Sequence, residues 1–296
     1  MLSIGVLGTA KNTGKTTTVN ALLKCLVGKS LAITSIGFDG EDLDHITGLP
    51  KPKVVVEEGT VVATSEQAAK HSTAKLQLLR KLNIATAFGP ICLYKVRQSG
   101  TVVLVGPNNS EDLLMLKDVL KSEQIEIFLV DGAINRVVPF QHVEFVILAL
   151  GASRSTSIDV LLTEARVIVK ALRLPLSEDD RNVIEGLVSQ DKLKSLRNER
   201  ISVESPMHLL LAEDLAGLER LLDELDIAVL RRPELICVTI NPYYPVRRME
   251  GFVLNRVDLT ELSRTIEQEL NVPCLDVMKE EERLCRILEE KIRGLK

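Results

Sequence analysis

The first eighteen residues constrain this chain more than any other stretch. Leu2-Ser3-Ile4-Gly5-Val6-Leu7 is a short, mostly apolar run with the length of a buried strand. Gly8-Thr9-Ala10-Lys11-Asn12-Thr13-Gly14-Lys15-Thr16-Thr17 follows, and then a helix-forming stretch, Val19 to Val27. Strand, glycine-bounded loop and helix in that order, with further strands and helices downstream, predict an α/β chain. The expected architecture is a mostly parallel sheet flanked by helices, a three-layer α/β/α arrangement.

The residue types in the loop have a chemical reason. Gly-Lys-Thr between a strand and a helix is the pattern of a P-loop. Backbone N–H groups of a tight loop converge as donors, and the helix N-terminus adds partial positive charge, so together they can hold a triphosphate. Gly14 lets the backbone bend and approach the phosphates. Lys15 would reach the β- and γ-phosphates, and the Thr16 hydroxyl would ligate Mg²⁺. Gly8, Thr9, Lys11, Asn12, Thr13 and Thr17 complete the candidate cradle. The competing reading is an ordinary loop with glycines and lysines.

Five residues separate Gly8 from Gly14 where the common pattern has four, so Thr9 takes the usual first-glycine position. This spacing, with Gly-Thr at its start, resembles dethiobiotin synthetase and its relatives in the MinD-like class. Many members of that class carry an earlier loop lysine; Lys11 stands one residue out of register with it.

Composition removes several function classes. The chain has 296 residues, a formal net charge of −4, no Trp and 3% aromatics. It therefore offers neither stacking platforms nor a basic face for nucleic acid. Cys25, Cys92, Cys237, Cys274 and Cys285 are scattered without a CxxC pair. Reduced, mostly buried thiols are expected, not a zinc or iron–sulfur site. His45, His71, His142 and His208 show no metal spacing. No signal peptide or membrane span is expected, so the reading is cytoplasmic.

Along the chain, Ser30 to Ile36 reads as a second buried strand, followed by the acidic loop Gly37 to Asp44. Ligands gather at the carboxyl ends of parallel strands. Asp39, flanked by glycine-rich backbone, is the candidate there to hold Mg²⁺ through water or to position a nucleophile; a solvated acidic turn is the alternative. Pro50-Lys51-Pro52 punctuates the chain. Strands are expected at 53–56 and 60–64 around Glu57-Glu58-Gly59, where Glu57 and Glu58 could be catalytic or simply an exposed turn. Residues 72–82 show helical spacing of Ala74, Leu78, Leu79 and Leu82. Ile91–Val96 and Thr101–Val105 read as a strand pair added at an edge of the sheet, and a helix follows Ser110.

Ile125 to Ala133 is an apolar strand ending in Asp131-Gly132-Ala133, the form of a Walker B element. Asp131 would sit beside the loop and orient a water on Mg²⁺. Val143–Leu150 is another buried strand, leading to Gly151-Ala152-Ser153-Arg154 and a helix whose serines and threonines would cap it or bind an anion. Arg136 and Arg154 could reach a γ-phosphate or be ordinary surface arginines. Three regions result: 1–174 as the core, 175–232 as an appended helical subdomain, and 233–296 completing the core sheet. In the second, a helix begins near Ser177, strands are expected at 208–211 and 226–230, and a helix at 215–225. In the third, Asn241 and Asn255 both follow late strands, and either could offer donor and acceptor to adenine. A last strand at 272–277 and a closing helix at 279–292 end the chain.

Lys11 to Thr17, Phe38-Asp39-Gly40-Glu41-Asp42, Val55-Val56-Glu57-Glu58-Gly59-Thr60, Asp131-Gly132-Ala133 and Gly151-Ala152-Ser153 together resemble the P-loop subunits of lysine 5,6-aminomutase reactivases. That resemblance implies ATP and Mg²⁺ as cofactors. It also implies ATP-dependent exchange of damaged cobalamin in a cobalamin- and pyridoxal-phosphate-dependent mutase. The partners it implies are that aminomutase and a second subunit similar to MutS, with a homodimer left open. Two alternatives stay open: a dethiobiotin-synthetase-like enzyme that phosphorylates a small carboxylate, and a nucleotide-dependent interaction module with little turnover.

Overall fold

The computed structural model describes residues 1–39, 53–177, 183–197, 199–211, 214–249 and 251–294. Glu41, Asp42, Asp44, His45 and Pro50 to Pro52 lie outside the described residues, as do Glu178 to Arg181, where the helix after Ser177 is expected.

Nine strands share one sheet: β1 (Leu2–Gly8), β2 (Leu31–Ser35), β3 (Val61–Ser65), β4 (Lys75–Thr86), β5 (Gly89–Gln98), β6 (Ile127–Ala133), β7 (Phe145–Gly151), β8 (Glu234–Asn241) and β9 (Cys274–Leu275). Their spatial order is β9-β8-β7-β1-β6-β2-β3-β5-β4. Every adjacent pair from β9 to β3 is parallel. Then β5 and β4 extend the β3 edge antiparallel. The helices among the described residues are α1 (Lys15–Cys25), α2 (Glu66–Ala69), α3 (Ser110–Ser122), α4 (Ile158–Leu172), α5 (Gln190–Ser195), α6 (Leu215–Glu224), α7 (Thr260–Leu270) and α8 (Glu281–Arg293).

Strand alternation produces the layers, because successive side chains leave a strand on opposite faces. Ile4, Val6, Ile127, Leu129, Phe145 and Ile147 pack with Val19 and Leu22 of α1 and Leu284 and Leu288 of α8. Their neighbours Leu7, Phe128, Val130, Val146 and Leu148 join α3, α4 and α7 through Leu116, Ile168 and Ile266. The fold is thus α/β, with a large, mostly parallel central sheet covered by helices on both faces. Strands buried on both faces need near-continuous apolar runs, which is why β6 and β7 read so plainly in the sequence. Gly132 is part of this packing. A Cβ there would lie 2.6 Å from the ring of Phe140, and one at Gly5 would overlap the same ring. Both glycines leave room for a fully buried aromatic, a burial worth roughly 1.5–3 kcal/mol.

Several sequence expectations need correction. Residues 75–86 form the edge strand β4, not a helix. Its backbone pairs with β5, and that distant ladder overrides a local apolar spacing that fits a helix. Leu78 and Leu79, expected on a buried helical face, are exposed. The segments 91–96 and 101–105 do not pair with each other. β5 lies between β3 and β4, whereas Gly100–Val102 pairs with Val54–Val56 and Leu104–Val105 with Phe38–Asp39. The chain leaves the sheet at Gly100, which packs so closely on Ala74 that a Cβ would sit 2.6 Å from its backbone nitrogen.

The stretch read as helical carries a small sheet. Val183–Ile184, Ile201–Val203 and Ile227–Val229 lie parallel, with α5 and α6 packed beside them. Leu193, Val203, Leu218, Leu221 and Val229 share a cluster with Val167 of α4. Residues 208–211, expected as a strand, instead continue a short 3-10 turn, Pro206–His208, whose start is capped by the Ser205 hydroxyl. Proline at its first position lacks the N–H that a strand ladder would use.

The five thiols are not all reduced. Cys25 of α1 and Cys285 of α8 form a disulfide across a sequence separation of 260, while Cys92, Cys237 and Cys274 are free and buried. The two helices pack side by side on the same face of the sheet, and Lys24 also meets Glu281 at 2.7 Å. Cysteine spacing along the chain carries no trace of that adjacency. Among the described residues no helix is long and apolar enough to cross a membrane.

Candidate functional site

The loop from Gly8 to Gly14 leaves β1 where the parallel strands end and enters α1 directly. Gly14 occupies the cap position of α1 with φ 97, a left-handed conformation that glycine adopts without penalty. A Cβ at Gly14 would also lie 2.9 Å from the Asn241 Cβ. The Gly14 carbonyl accepts the first helical bond from Thr18 N–H at 2.9 Å. The helix therefore starts at Lys15, earlier than Val19, and puts Lys15, Thr16 and Thr17 in its first turn. All three are partly exposed. A Cβ at Gly8 would overlap the Lys15 stem, so that lysine lies back over the start of the loop.

The chemistry of that helix end is distinctive. α1 has no side-chain cap and no acidic residue in its first turn. Each of the other seven helices has one or both: a capping Ser65, Asn109, Ser189 or Asp214, or acidic first-turn residues such as Asp159, Glu261 and Glu281. The first N–H groups of a helix need partners, and at α1 the cap residue is a glycine with no side chain to supply one. Backbone donors, a lysine and two threonine hydroxyls make that end suited to an anion.

Neighbouring strand ends brace the loop. Asn241, the last residue of β8, donates from Nδ2 to the Asn12 carbonyl at 2.9 Å and accepts from Tyr243 N–H at 3.2 Å. Ser153, just past β7, donates to the Lys11 carbonyl at 2.8 Å. A Cβ at Gly151 would sit 2.7 Å from Thr13 Cα. Thr13 is buried and closes the loop on itself by donating to the Ala10 carbonyl at 3.1 Å. Asn12 holds φ 61. Thr18 meets Thr239 of β8 through a hydroxyl pair at 2.8 Å, fixing the first turn of α1 to the sheet. The sequence marked Asn241 for a base. In the structure its amide bonds the loop and Tyr243, a role that only the arrangement of strand ends reveals.

Asp131 pairs with Val6 of β1 and Ser35 of β2 in adjacent parallel strands. It lies two residues before the end of β6 and is 1% exposed. By alternation it shares a face with Ile127 and Leu129, the face that packs against α1. Asp131 and Thr16 thus belong to the same side of the sheet and to the same carboxyl edge. Among the described residues no group of three or more His, Cys, Asp or Glu could hold a metal by itself. A divalent ion here would need oxygen ligands from Thr16, Asp131, water and a bound anion.

Other candidates fall at different places. Asp39 pairs with Leu104 in a short ladder just beyond β2, at the same carboxyl edge. Glu58 does not join the site. It lies in the exposed turn before β3, and β3 runs parallel to β2, so this turn is at the opposite edge from the loop. Glu57 in that turn accepts from the Ser99 hydroxyl at 2.6 Å. Asn255 does not follow a strand but lies within the exposed hairpin Tyr243–Arg248/Gly251–Arg256, where its amide donates to the Tyr244 hydroxyl at 3.2 Å. Arg136 donates to the Ile36 carbonyl at 3.3 Å and packs on Gly37. Ser157 holds the α4 cap position but makes no capping bond.

Sequence reasoning missed Glu164. It lies on the buried side of α4, beside Thr9 and within 3.3 Å of Arg154 Nε. Burial pushes its carboxyl above the ordinary carboxylate range, against the opposing pull of Thr9 and Arg154. A lone Glu on an amphipathic helix carries no sequence signal for this. No protein-family model matches the chain, and no match was found among curated proteins or solved structures.

Proposed function

We propose that this chain binds ATP with Mg²⁺ on the loop from Gly8 to Thr17 and hydrolyses it, as the nucleotide-driven subunit of a reactivase for a cobalamin-dependent aminomutase. The observation that carries the nucleotide reading is the start of α1. It is an uncapped helix end free of acidic residues, entered through left-handed Gly14, with Lys15 and Thr16 in its first turn and Asp131 on the neighbouring strand. The partner reading rests on the sequence resemblance alone.

In this mechanism the loop N–H groups and Lys15 hold the β- and γ-phosphates and stabilise charge that spreads over the γ-phosphate oxygens. Thr16 would supply a hydroxyl ligand to the ion, and Asp131 would orient a water beside it. Bound Mg²⁺ would neutralise phosphate charge. Asn241, Ser153 and Gly151 keep the loop in place, so the donors need little rearrangement when the nucleotide arrives. Asp39 is the remaining candidate to orient the attacking water, since Glu58 is at the far edge. Hydrolysis would release loops that had touched the γ-phosphate, and a partner would read that change.

Phosphate release from ATP tests the first half. Wild type should turn over with Mg²⁺, and Lys15→Ala should lose about 100-fold or more with its melting temperature unchanged. Undiminished turnover in the variant would remove the loop from the mechanism. The second half is tested by adding the chain, its MutS-like partner and Mg²⁺-ATP to an inactivated aminomutase. If ATP is hydrolysed and the mutase stays inactive, the client assignment is wrong while the ATPase reading stands.

A further inference from the structure

Glu164 is a buried acid that the phosphate-transfer steps leave unused. It is 4% exposed and sits on the apolar stripe of α4, with Leu161, Ala165, Ile168 and Leu172 at helical spacing around it. An apolar side chain would continue that stripe, whereas a buried carboxyl needs partners. Arg154 supplies them only in part. It reaches Oε1 through Nε, at 3.3 Å, and its side chain stays 48% exposed. Among the described residues Oε2 of Glu164 has no hydrogen-bond partner, and neither has the buried hydroxyl of Thr9.

These two unmet groups are neighbours. Thr9 is the first residue of the loop after β1, and its hydroxyl lies close enough to draw the Glu164 carboxyl toward the charged form without closing a bond. The contact can run either way. An ionised Glu164 accepts from the Thr9 hydroxyl, and a protonated one donates to it. The charged side chains on the elements around Glu164 are Arg154 on the β7–α4 connection, Lys11 and Lys15 on the loop, and Arg166 and Lys170 farther along α4. Among the described residues Arg154 is the charge that acts on it directly. Arg166 is paired with Glu219 of α6 and Glu269 of α7, and Lys170 with Glu219 and Asp223. Burial lifts the Glu164 carboxyl above the ordinary range. An anion seated on the loop would lift it further, because a neighbouring negative charge disfavours the ionised form.

We propose that Glu164 is a positioning residue of the loop, acting through Thr9, and that seating a polyphosphate on the loop is coupled to uptake of one proton by Glu164. The carboxylate takes that proton from the buffer as the anion binds and returns it on release. Binding therefore strengthens as pH falls. The proposal rests on the nucleotide reading of the loop and adds a proton to it.

Calorimetric titration of the full chain with Mg²⁺-ATPγS tests it, in buffers of low and high ionisation enthalpy between about pH 5 and 8, so that protons taken up on binding are counted. The uptake by wild type should exceed that by Glu164→Gln by about half a proton at its maximum, and wild-type affinity should fall by about tenfold from the acid to the alkaline end. Glu164→Gln keeps the shape and a donor for Thr9 but cannot ionise. It should bind across the range as tightly as wild type does at the acid end. The ligand's own protonation is common to both proteins and cancels in the difference. Glu144→Gln, at the opposite edge of the sheet, should take up protons as wild type does. Thr9→Val removes the contact and should weaken binding by about threefold to tenfold. Thermal unfolding checks that each variant is folded. Equal proton uptake by wild type and Glu164→Gln, or undiminished affinity in folded Thr9→Val, would overturn this proposal and leave the nucleotide site standing. No uptake of ATPγS by wild type would overturn the nucleotide reading and this proposal with it.

Discussion

The N-termini of α1 and α3 are built to opposite rules. At α3, Asn109 accepts from Asp112 N–H at 2.8 Å, its own amide donates to the Asp112 carboxylate, and Glu111 and Asp112 place negative charge in the first turn. That helix end is satisfied by its own residues. At α1 the cap is a left-handed glycine, the first turn is Lys-Thr-Thr, and the neighbouring strand ends brace the loop from outside without capping the helix. A chain that can cap α3 so fully has no folding reason to leave α1 open. Under the proposed nucleotide role, the difference marks where the molecule would give up local stability to keep donors available to phosphate.

Making α1 resemble α3 should have the largest effect. Thr16→Glu puts a carboxylate in the first turn, where it satisfies the helix dipole but repels phosphate. Mg²⁺-ATP affinity should fall by about 100-fold or more, while thermal stability holds or rises by about 0.3–1 kcal/mol. Loss of both affinity and fold would mean that the site was misread as preformed. At the other end of α1, reducing the Cys25–Cys285 disulfide should cost about 2–4 kcal/mol of stability. Nucleotide affinity in the folded, reduced protein should not change, and calorimetry with and without reductant checks both. The converse change at α3, Asn109→Ala, should cost about 1 kcal/mol in denaturant unfolding with nucleotide affinity intact.

The smallest effect concerns Glu144, next to the start of β7. It accepts from Ser3 N–H at 2.7 Å and from Lys117 at 3.0 Å. Burial alone would raise its carboxyl, but the Ser3 and Lys117 bonds outweigh that and hold it below the ordinary range. A depressed carboxylate stabilises the fold above its unfolded pKa, and that contribution disappears as pH falls through the folded value. Glu144→Gln should therefore remove part of the acid sensitivity between the ordinary carboxylate range and that lower folded value. The cost at pH 7 should be about 1 kcal/mol, a modest figure because the side chain is 46% exposed. An unchanged stability profile from neutral pH to acid would contradict the assigned role of that cluster.

Legibility in the sequence follows locality. β1, the loop and α1 are contiguous, so glycine spacing and the apolar run disclose them together. Asp131 was legible because it ends an apolar run, and its position beside Val6 follows from the adjacency of β1 and β6. The helical spacing at 72–82 misleads because the pairing that makes Lys75–Thr86 a strand comes from β5, and nothing in the local spacing reports it. The bracing of Asn12 by Asn241 spans 229 positions and depends on β8 lying next to β7. The Cys25–Cys285 bond and the burial of Glu164 are equally non-local. Gly132 carries a second constraint beside its place in the Asp-Gly-Ala element: a Cβ there would meet the ring of Phe140.

One titration bears most directly on the central claim that the open end of α1 is a triphosphate site. Mg²⁺-ATP should give saturable one-to-one heat with wild type and Asn109→Ala alike, and none with Thr16→Glu. Absence of uptake by wild type, or equal uptake by wild type and Thr16→Glu, would show that the uncapped helix end has no part in holding phosphate.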